Sequence, residues 1–138
     1  MSGVGSLDET AGGGSGHPRL LIADDDAVVR STLSAQLVHD FEVVAVADGT
    51  AEAIALAEEQ QPDVALIDVE MPGGGGLEAV QQISKRSPGT CIVMLSADES
   101  RNHVFELLSA GAIAYIRKGT SGPEIARTLT DTIGTQSG

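Results

Sequence analysis

Short apolar runs recur along the chain and are separated by segments with helical periodicity. The five apolar runs cover residues 20–23, 41–47, 64–67, 91–95 and 113–117. Runs of this length that are bounded by Gly, Pro, Asp or Lys predict buried β-strands. Each run is followed by polar or turn-forming residues, so each strand has a defined carboxyl end.

Between these strands the apolar residues return every third or fourth position, which predicts five amphipathic helices. The apolar positions expected for them are Val29, Leu33 and Leu37; Ile54 and Ala57; Leu77, Val80 and Ile83; Val104, Leu107 and Leu108; and Ile125, Leu129 and Ile133. The fourth helix is expected over residues 99–110 with Gly111 as its C-cap. Ser121 and Glu124 form a capping box that opens the fifth helix.

Five strands that alternate with five helices predict an α/β fold with a parallel, doubly wound sheet. Connections between parallel strands are right-handed, so the carboxyl ends of all strands face the same edge of the sheet. Ligands bind at this edge in open α/β sheets. Polar side chains at the ends of the strands are therefore the first candidates for a functional site.

Four of the predicted strands end in such residues, namely Asp24 and Asp25, Asp68, Ser96, and Lys118. Asp68 is the most informative of them, because it ends a buried run and precedes Pro72 and four consecutive glycines. An ionised carboxylate is costly to bury without a partner, so a packed strand has no structural use for it. We expect these side chains to converge on one edge although they come from distant parts of the chain.

Three converging carboxylates repel one another, and a divalent cation removes that repulsion. An all-oxygen ligand set favours Mg²⁺ or Mn²⁺ over zinc. Lys118 adds a cation that could neutralise a phosphoryl oxygen, and Ser96 adds a hydroxyl donor. This combination suits phosphoryl transfer with Asp68 as the nucleophile and an aspartyl phosphate as the product.

Each of these residues also has an ordinary structural explanation. Residues 24–26 could be an acidic cluster at a helix N-terminus. Asp68 could form a turn, and Ser96 or Lys118 alone carries little information. It is their joint placement at the ends of four strands that favours a functional site.

Composition and charge exclude some other functions. Lys and Arg number 8 against 20 Asp and Glu, a net charge of −12 that argues against nucleic-acid binding by this chain. The single cysteine, Cys91, allows no internal disulfide and is expected to be a small buried hydrophobe.

Without a signal peptide or an apolar stretch that could span a membrane, the expected location is cytoplasmic. Residues 1–18 are expected to form a disordered Gly/Ser-rich tail before a domain over 19–138.

The chain resembles the receiver domain of two-component response regulators over about residues 19–134. The resemblance rests on the acidic run after the first strand, the segment from Asp68 to Gly76 with the pattern D-x-x-M-P-x-x-x-G, Ser96-Ala97, and the strand that leads to Lys118. It implies a flavodoxin-like sheet with the strand order 2-1-3-4-5. Gly119 stands where the family often has a proline after the lysine, so the cis peptide found there is not expected.

The resemblance also implies roles for individual residues. Asp68 would be the phosphoacceptor, and Lys118 would pair with a phosphoryl oxygen. Mg²⁺, or Mn²⁺ in its place, would be bound directly by Asp25, through water by Asp24, and by the backbone carbonyl of Glu70.

The remaining implied roles concern switching and the lifetime of the phosphoryl group. Ser96 would move toward the phosphoryl group, and Tyr115 would follow it as an aromatic switch; the less favoured alternative is that Tyr115 is an ordinary strand tyrosine. Glu70 and Asp98 occupy the positions that tune the lifetime.

The partners implied are a histidine kinase or phosphotransfer protein as the phosphoryl donor, and a downstream effector or fused output domain. Phosphorylation would change the face formed by the fourth helix, the fifth strand and the fifth helix, with transcription as one output and a homodimer as one arrangement. No membrane partner is implied. Such a chain is a signalling module and not an enzyme with an external substrate.

Two other functions remain open from the sequence. A Mg²⁺-dependent phosphatase with an aspartyl nucleophile would also have an acid two residues after the nucleophile, where Glu70 stands. A receiver-like scaffold that no longer takes phosphate would keep the fold, but the complete set of site residues argues against it.

Overall fold

The computed structural model describes residues 16–97 and 101–137, and for 101–103 and 135–137 it describes the backbone only. Ten elements alternate along the chain: β1 Arg19–Ala23, α1 Ala27–Leu37, β2 Glu42–Ala47, α2 Thr50–Gln60, β3 Val64–Asp68, α3 Gly75–Arg86, β4 Cys91–Ser96, α4 Arg101–Ala110, β5 Ala114–Arg117 and α5 Gly122–Ser137. Most of the predicted tail, the start expected for the fourth helix and Asp98 lie outside the described residues.

The five strands form one parallel sheet in the order β2-β1-β3-β4-β5. The predicted fold class and strand order are therefore confirmed. The order places β1 and β3 side by side at the centre of the sheet. Because the sheet is parallel, the carboxyl ends of β1, β3, β4 and β5 lie along one edge, which brings together the polar residues at those ends.

Two hydrophobic layers cover the two faces of the sheet. One layer joins alternate strand residues to α2, α3 and α4, and it includes Leu21, Ile67, Met94, Ala57, Ile83 and Leu107. The other joins the intervening residues to α1 and α5, and it includes Leu20, Leu66, Val93, Leu33, Leu37 and Leu129. Burial of β1, β3 and β4 on both faces explains why these strands are continuous apolar runs.

The structure differs from the predicted elements in small ways. Phe41 precedes β2 because its backbone N–H donates to Leu37 O at the end of α1 (2.9 Å), although its side chain is buried. Val29 is only half-buried, and Leu108 is 42% exposed because α4 turns Leu107 toward the sheet instead. Pro18, assigned to the tail from sequence, accepts a hydrogen bond from the Glu42 N–H (2.9 Å).

Side chains or glycine cap three helix ends, and the sequence predicts two of these caps, at Gly111 and Ser121. Asp26 is the N-cap of α1 and accepts from the N–H groups of Val28 and Val29. Gly111 has φ +134° after α4, and the next N–H, that of Ala112, donates to Leu107 O (3.0 Å). At the start of α5 the Ser121 hydroxyl accepts from the Glu124 N–H (3.3 Å).

Gly76 is expected to be intolerant of alanine. A Cβ at Gly76 would lie 2.8 Å from Val69 Cα and 3.0 Å from Val69 O, both of which are backbone atoms. We expect Gly76→Ala to lower the free energy of unfolding by about 1–3 kcal/mol, although alanine favours helices. Urea denaturation would measure this change. Gly89→Ala is the control, because no heavy atom lies within 4 Å of its Cβ position, and an equal loss there would contradict the steric argument.

Candidate phosphoryl-transfer site

Two carboxylates lie buried at the centre of the carboxyl edge. Asp24 follows β1 and is 0% exposed, and Asp68 ends β3 and is 1% exposed. Asp25 is exposed next to them. The sheet brings these groups together because β1 and β3 pair in register up to Ala23 and Ile67. The predicted convergence of the three acids is therefore present in the fold.

Backbone N–H groups orient both buried carboxylates. The Asp26 N–H donates to Asp24 Oδ1 at 2.9 Å, and the Glu70 N–H donates to Asp68 Oδ1 at 3.1 Å. Each interaction joins a carboxylate to the residue two positions later, a local turn that suits Asp at a strand end. The Oδ1 atoms are thus held by their own loops, which leaves the Oδ2 atoms to face the site.

Lys118 lies between the two Oδ2 atoms. Its Nζ is 3.3 Å from Asp24 Oδ2 and 3.2 Å from Asp68 Oδ2. Backbone pairing at the ends of β4 and β5 places it there, with the Lys118 N–H donating to Ser96 O at 2.9 Å. Burial alone would lower the pKa of Lys118, but the two carboxylates outweigh it and raise that pKa. The ammonium therefore stays charged at neutral pH.

The pKa of Asp68 is raised above the ordinary value of a carboxyl group. Burial raises the pKa of Asp68 to about 6, and the nearby charge of Asp24 adds to the rise. The hydrogen bond from Glu70 and the ammonium of Lys118 act in the opposite direction but do not cancel it. The raised pKa is therefore first an effect of burial, to which the second buried carboxylate contributes.

The acidic cluster has the chemistry and spacing of a site for a divalent cation. One oxygen each from Asp24, Asp25 and Asp68 lies within 4.8 Å of the others. The Oδ2 atoms of Asp24 and Asp68 are buried and pair with the Lys118 ammonium, but neither accepts a hydrogen bond, so both have lone pairs available for a metal ion. Oxygen ligands at about 2.1 Å from an octahedral Mg²⁺ are no more than about 4.2 Å apart, so small adjustments would suffice. The three residues could therefore hold a hard metal ion.

The other predicted site residues lie around this centre. Ser96 is buried at the end of β4, where it pairs in register with Arg117. Tyr115 is half-buried on β5 and packs against the hydrophobic layer of α2, α3 and α4. Glu70 has an exposed side chain directly after the two buried residues Asp68 and Val69. The roles of these residues, like those of the acids and of Lys118, remain predictions.

Two residues that the sequence does not point to contact the backbone of the site from neighbouring helices. Arg30, on α1, donates from Nη1 to Asp24 O at 2.7 Å. Thr50, the first residue of α2, donates to two carbonyls of the loop that follows Asp68. Neither residue carries a local signal, because both contacts reach backbone carbonyls of other segments and depend on how the helices pack. Asp26, grouped with the acids in sequence, serves as a helix cap instead.

Comparisons with known proteins agree with this fold. The model of the response regulator receiver domain family matches residues 20–130. The chain is 35% identical over 113 residues to response regulator GacA of Pseudomonas viridiflava, covering 80% of this chain and 53% of GacA. It is 38% identical over 110 residues to oxygen regulatory protein NreC of Staphylococcus epidermidis, covering 78% of this chain and 50% of NreC.

Solved structures show the same architecture. A DNA-binding response regulator of the LuxR family from Staphylococcus aureus has a TM-score of 0.79 at 27% identity, covering 84% of this chain and 98% of that chain. A CheY-like receiver domain protein from Methanospirillum hungatei has a TM-score of 0.82 at 27% identity, covering 88% of this chain and 97% of that chain. The chain therefore belongs to the response regulator receiver domains, the signalling modules of two-component systems.

The chain spans about half the length of the curated relatives it matches. The matched half is the receiver domain, so the similarity does not reach the remainder of those proteins. None of the helices within the described ranges, 16–97 and 101–137, is long and apolar enough to span a bilayer.

Proposed function

We propose that Asp68 accepts a phosphoryl group from a histidine kinase or phosphotransfer protein, with Mg²⁺ bound beside it. The observation that carries this proposal is the buried Asp68 Oδ2, which lies 3.2 Å from the ammonium of Lys118 and next to Asp24 in a receiver domain. We take residues 19–138 as the unit that performs this chemistry.

Asp68 Oδ2 is the attacking atom in this proposal, because Oδ1 is already engaged by the Glu70 N–H. A bond forms between Oδ2 and the phosphorus of a phosphohistidine, while the bond between phosphorus and the imidazole nitrogen breaks. The electron pair of the broken bond stays on that nitrogen, which then takes a proton from water. The product is an acyl phosphate on Asp68.

Lys118 would stabilise the charge that this step transfers. Its Nζ already lies within 3.3 Å of both buried carboxylates, so it needs only a small movement to reach a phosphoryl oxygen. Ser96 lies at the end of the neighbouring strand β4 and would donate its hydroxyl to another phosphoryl oxygen. Both residues act by spreading the charge of the transferred group over fixed donors.

The metal ligands would be Asp24, Asp25, Asp68 and the backbone carbonyl of Glu70, with Mn²⁺ able to replace Mg²⁺. When bound, the ion would neutralise phosphoryl oxygens and remove the repulsion among the carboxylates. Glu70 and Asp98 would then set how fast water attacks the acyl phosphate. The domain would catalyse its own phosphorylation and dephosphorylation and turn over no other substrate.

The output would be a change in the face formed by α4, β5 and α5, to which Ser96 and Tyr115 would relay the new charge. This face would control a homodimer, a downstream effector or a fused output domain. One structural relative is a DNA-binding regulator of the LuxR family, which supports transcription as the output. The net charge of −12 argues against nucleic-acid contact by the receiver domain itself. We place this pathway in the cytoplasm.

Incubation with Mg²⁺ and acetyl phosphate, followed by intact mass measurement, tests the proposal. We expect a gain of one phosphoryl group that needs Mg²⁺, is prevented by EDTA and is removed by hydroxylamine, which cleaves acyl phosphates. A beryllofluoride titration is the second arm, since it detects a competent site that accepts only from its kinase. Failure of both arms would leave a receiver-like scaffold, and steady release of phosphate from small phosphomonoesters would favour a phosphatase instead.

A further inference from the structure

We propose that Thr50 is a positioning residue that anchors the acceptor loop, defined as residues 69–76 and so including the first two residues of α3, and thereby holds the metal-binding backbone beside Asp68. This inference rests on the proposed function for its consequence at the metal site. The anchor itself is a structural contact that can be tested without metal or phosphate.

Three consecutive glycines of the acceptor loop have backbone conformations that few other residues adopt. Gly73, Gly74 and Gly75 have φ values of +88°, +121° and +78°, a region that other residues rarely adopt. Glycine loses more conformational entropy on folding than any other residue, so a loop with consecutive glycines needs contacts that hold it in one conformation. The loop nevertheless carries Glu70, whose carbonyl is the proposed metal ligand.

One part of the loop is held by its own residues. The Gly76 N–H donates to Val69 O at 2.8 Å, which closes the loop at its base. The Glu70 N–H donates to Asp68 Oδ1 at 3.1 Å, which ties the loop to the acceptor carboxylate. The backbone at Glu70 and the carboxylate of Asp68 are therefore directly connected.

Thr50 holds the glycine segment from another part of the fold. Its N–H donates to Pro72 O at 3.2 Å, and its Oγ1 donates to Gly75 O at 3.2 Å. The residue is 1% exposed, so this hydroxyl is kept in the interior at the junction between β2 and α2. A buried hydroxyl is costly unless it is hydrogen-bonded, and here the partner is the loop.

The position of the two contacts indicates what Thr50 does. The two hydrogen bonds reach the carbonyls of Pro72 and Gly75, which lie on either side of Gly73 and Gly74. Gly73 and Gly74 have positive φ values, so the bonds hold the loop next to its glycine conformations. With this part held, the segment between Asp68 and Pro72 has both ends fixed, and the Glu70 carbonyl keeps one direction. The hydroxyl of Thr50 thus preorganises the metal site, although its hydrogen bond reaches neither the proposed metal ligands nor Asp68.

The test compares Thr50→Val with Thr50→Ser in the full chain. Valine keeps the shape and the backbone N–H but removes the hydroxyl, whereas serine keeps the hydroxyl. In metal-free protein, we expect amide exchange in residues 70–75 to be at least about threefold faster in Thr50→Val and near wild type in Thr50→Ser. Calorimetric titration with Mg²⁺ should give about threefold to tenfold weaker binding for Thr50→Val only.

The outcomes separate the two proposals. Wild-type exchange and wild-type Mg²⁺ affinity in Thr50→Val, with only a lower Tm, would overturn the positioning role and leave a structural one. If wild type itself binds no Mg²⁺ and takes no phosphoryl group, the proposed function fails, while the exchange data still decide whether Thr50 anchors the loop. Should Thr50→Val not fold, Thr50→Ala provides the same loss of the hydroxyl without the extra methyl groups.

Discussion

Asp68→Asn is expected to take up no phosphoryl group from acetyl phosphate under conditions that label the wild type. Asparagine has nearly the shape of aspartate and can still accept the hydrogen bond from the Glu70 N–H through its oxygen. It lacks the anionic oxygen that would form the bond to phosphorus, so labelling should fall by at least about a hundredfold. Intact mass measurement of both proteins over the same time course gives the result directly.

Asp26→Asn is the matched control for this experiment. Asp26 lies in the same acidic run, but its side chain caps α1 and asparagine is an equally good cap. We expect its labelling to remain within about twofold of wild type. Labelling of Asp68→Asn at the wild-type rate would show that another residue accepts the group, and peptide mapping would then identify it.

Asp68→Asn is also expected to stabilise the metal-free protein at neutral pH. Burial and Asp24 raise the pKa of Asp68 to about 6, so keeping this carboxylate ionised at pH 7.5 costs about 2–3 kcal/mol of folding free energy. The asparagine side chain in the variant would carry no charge, although the ion pair with Lys118 is lost with it. The net gain should raise the Tm by roughly 5–10 °C in the presence of EDTA.

The pH dependence identifies the cause of this gain. Since the folded pKa of Asp68 lies above its unfolded value of 3.8, the folded state binds more protons between these values. The contribution of Asp68 to the stability of the wild type therefore falls as the pH rises from about 4 through about 6. The difference between Asp68→Asn and wild type should be small near pH 4 and reach its full size above pH 7.

Glu59→Gln is the control, because Glu59 is an exposed carboxylate on α2. We expect it to change the Tm little at pH 7.5. If Asp68→Asn melts below the wild type at pH 7.5 without metal, the cost of burying an ionised Asp68 beside Asp24 is not the dominant electrostatic effect at this site, and the ion pair with Lys118 is.

Loss of phosphoryl uptake and a gain in stability would be two consequences of removing the same buried charge. Asp68 is the residue that the proposed chemistry needs most and is also a source of instability in the metal-free fold. Such a compromise is typical of functional sites, where a charge is buried for reactivity and not for packing. Binding of a divalent cation at the acidic cluster should reduce the instability, because it supplies the positive charge that Lys118 alone does not.

Much of this architecture could be predicted from local sequence patterns. The apolar runs that end at Asp68 and Ser96 predict the central strands, because residues buried on both faces of a sheet must all be apolar. The alternation of strands and helices then predicts a parallel sheet, and the handedness of its connections places Asp24, Asp68 and Lys118 at one edge. The strand order came from the family resemblance and not from the pattern.

The three consecutive acids show where local patterns stop. The local hydrophobic pattern gives Asp24, Asp25 and Asp26 the same predicted environment. In the structure Asp24 is buried, Asp25 is exposed, and Asp26 caps α1. The direction of each side chain depends on how the backbone turns from β1 into α1. That turn is set by packing of the whole helix, which no short segment encodes.

The elements, the fold class and the residues that end each strand follow from burial periodicity and chain chirality, which can be read along the sequence. The position of Lys118 between two buried carboxylates, the raised pKa of Asp68 and the contact of Thr50 with the acceptor loop are visible only in the folded molecule. These features join residues that are far apart in the sequence. Distances between side chains from separate elements, and the loss of water around them, are properties of the packed molecule and of no local segment.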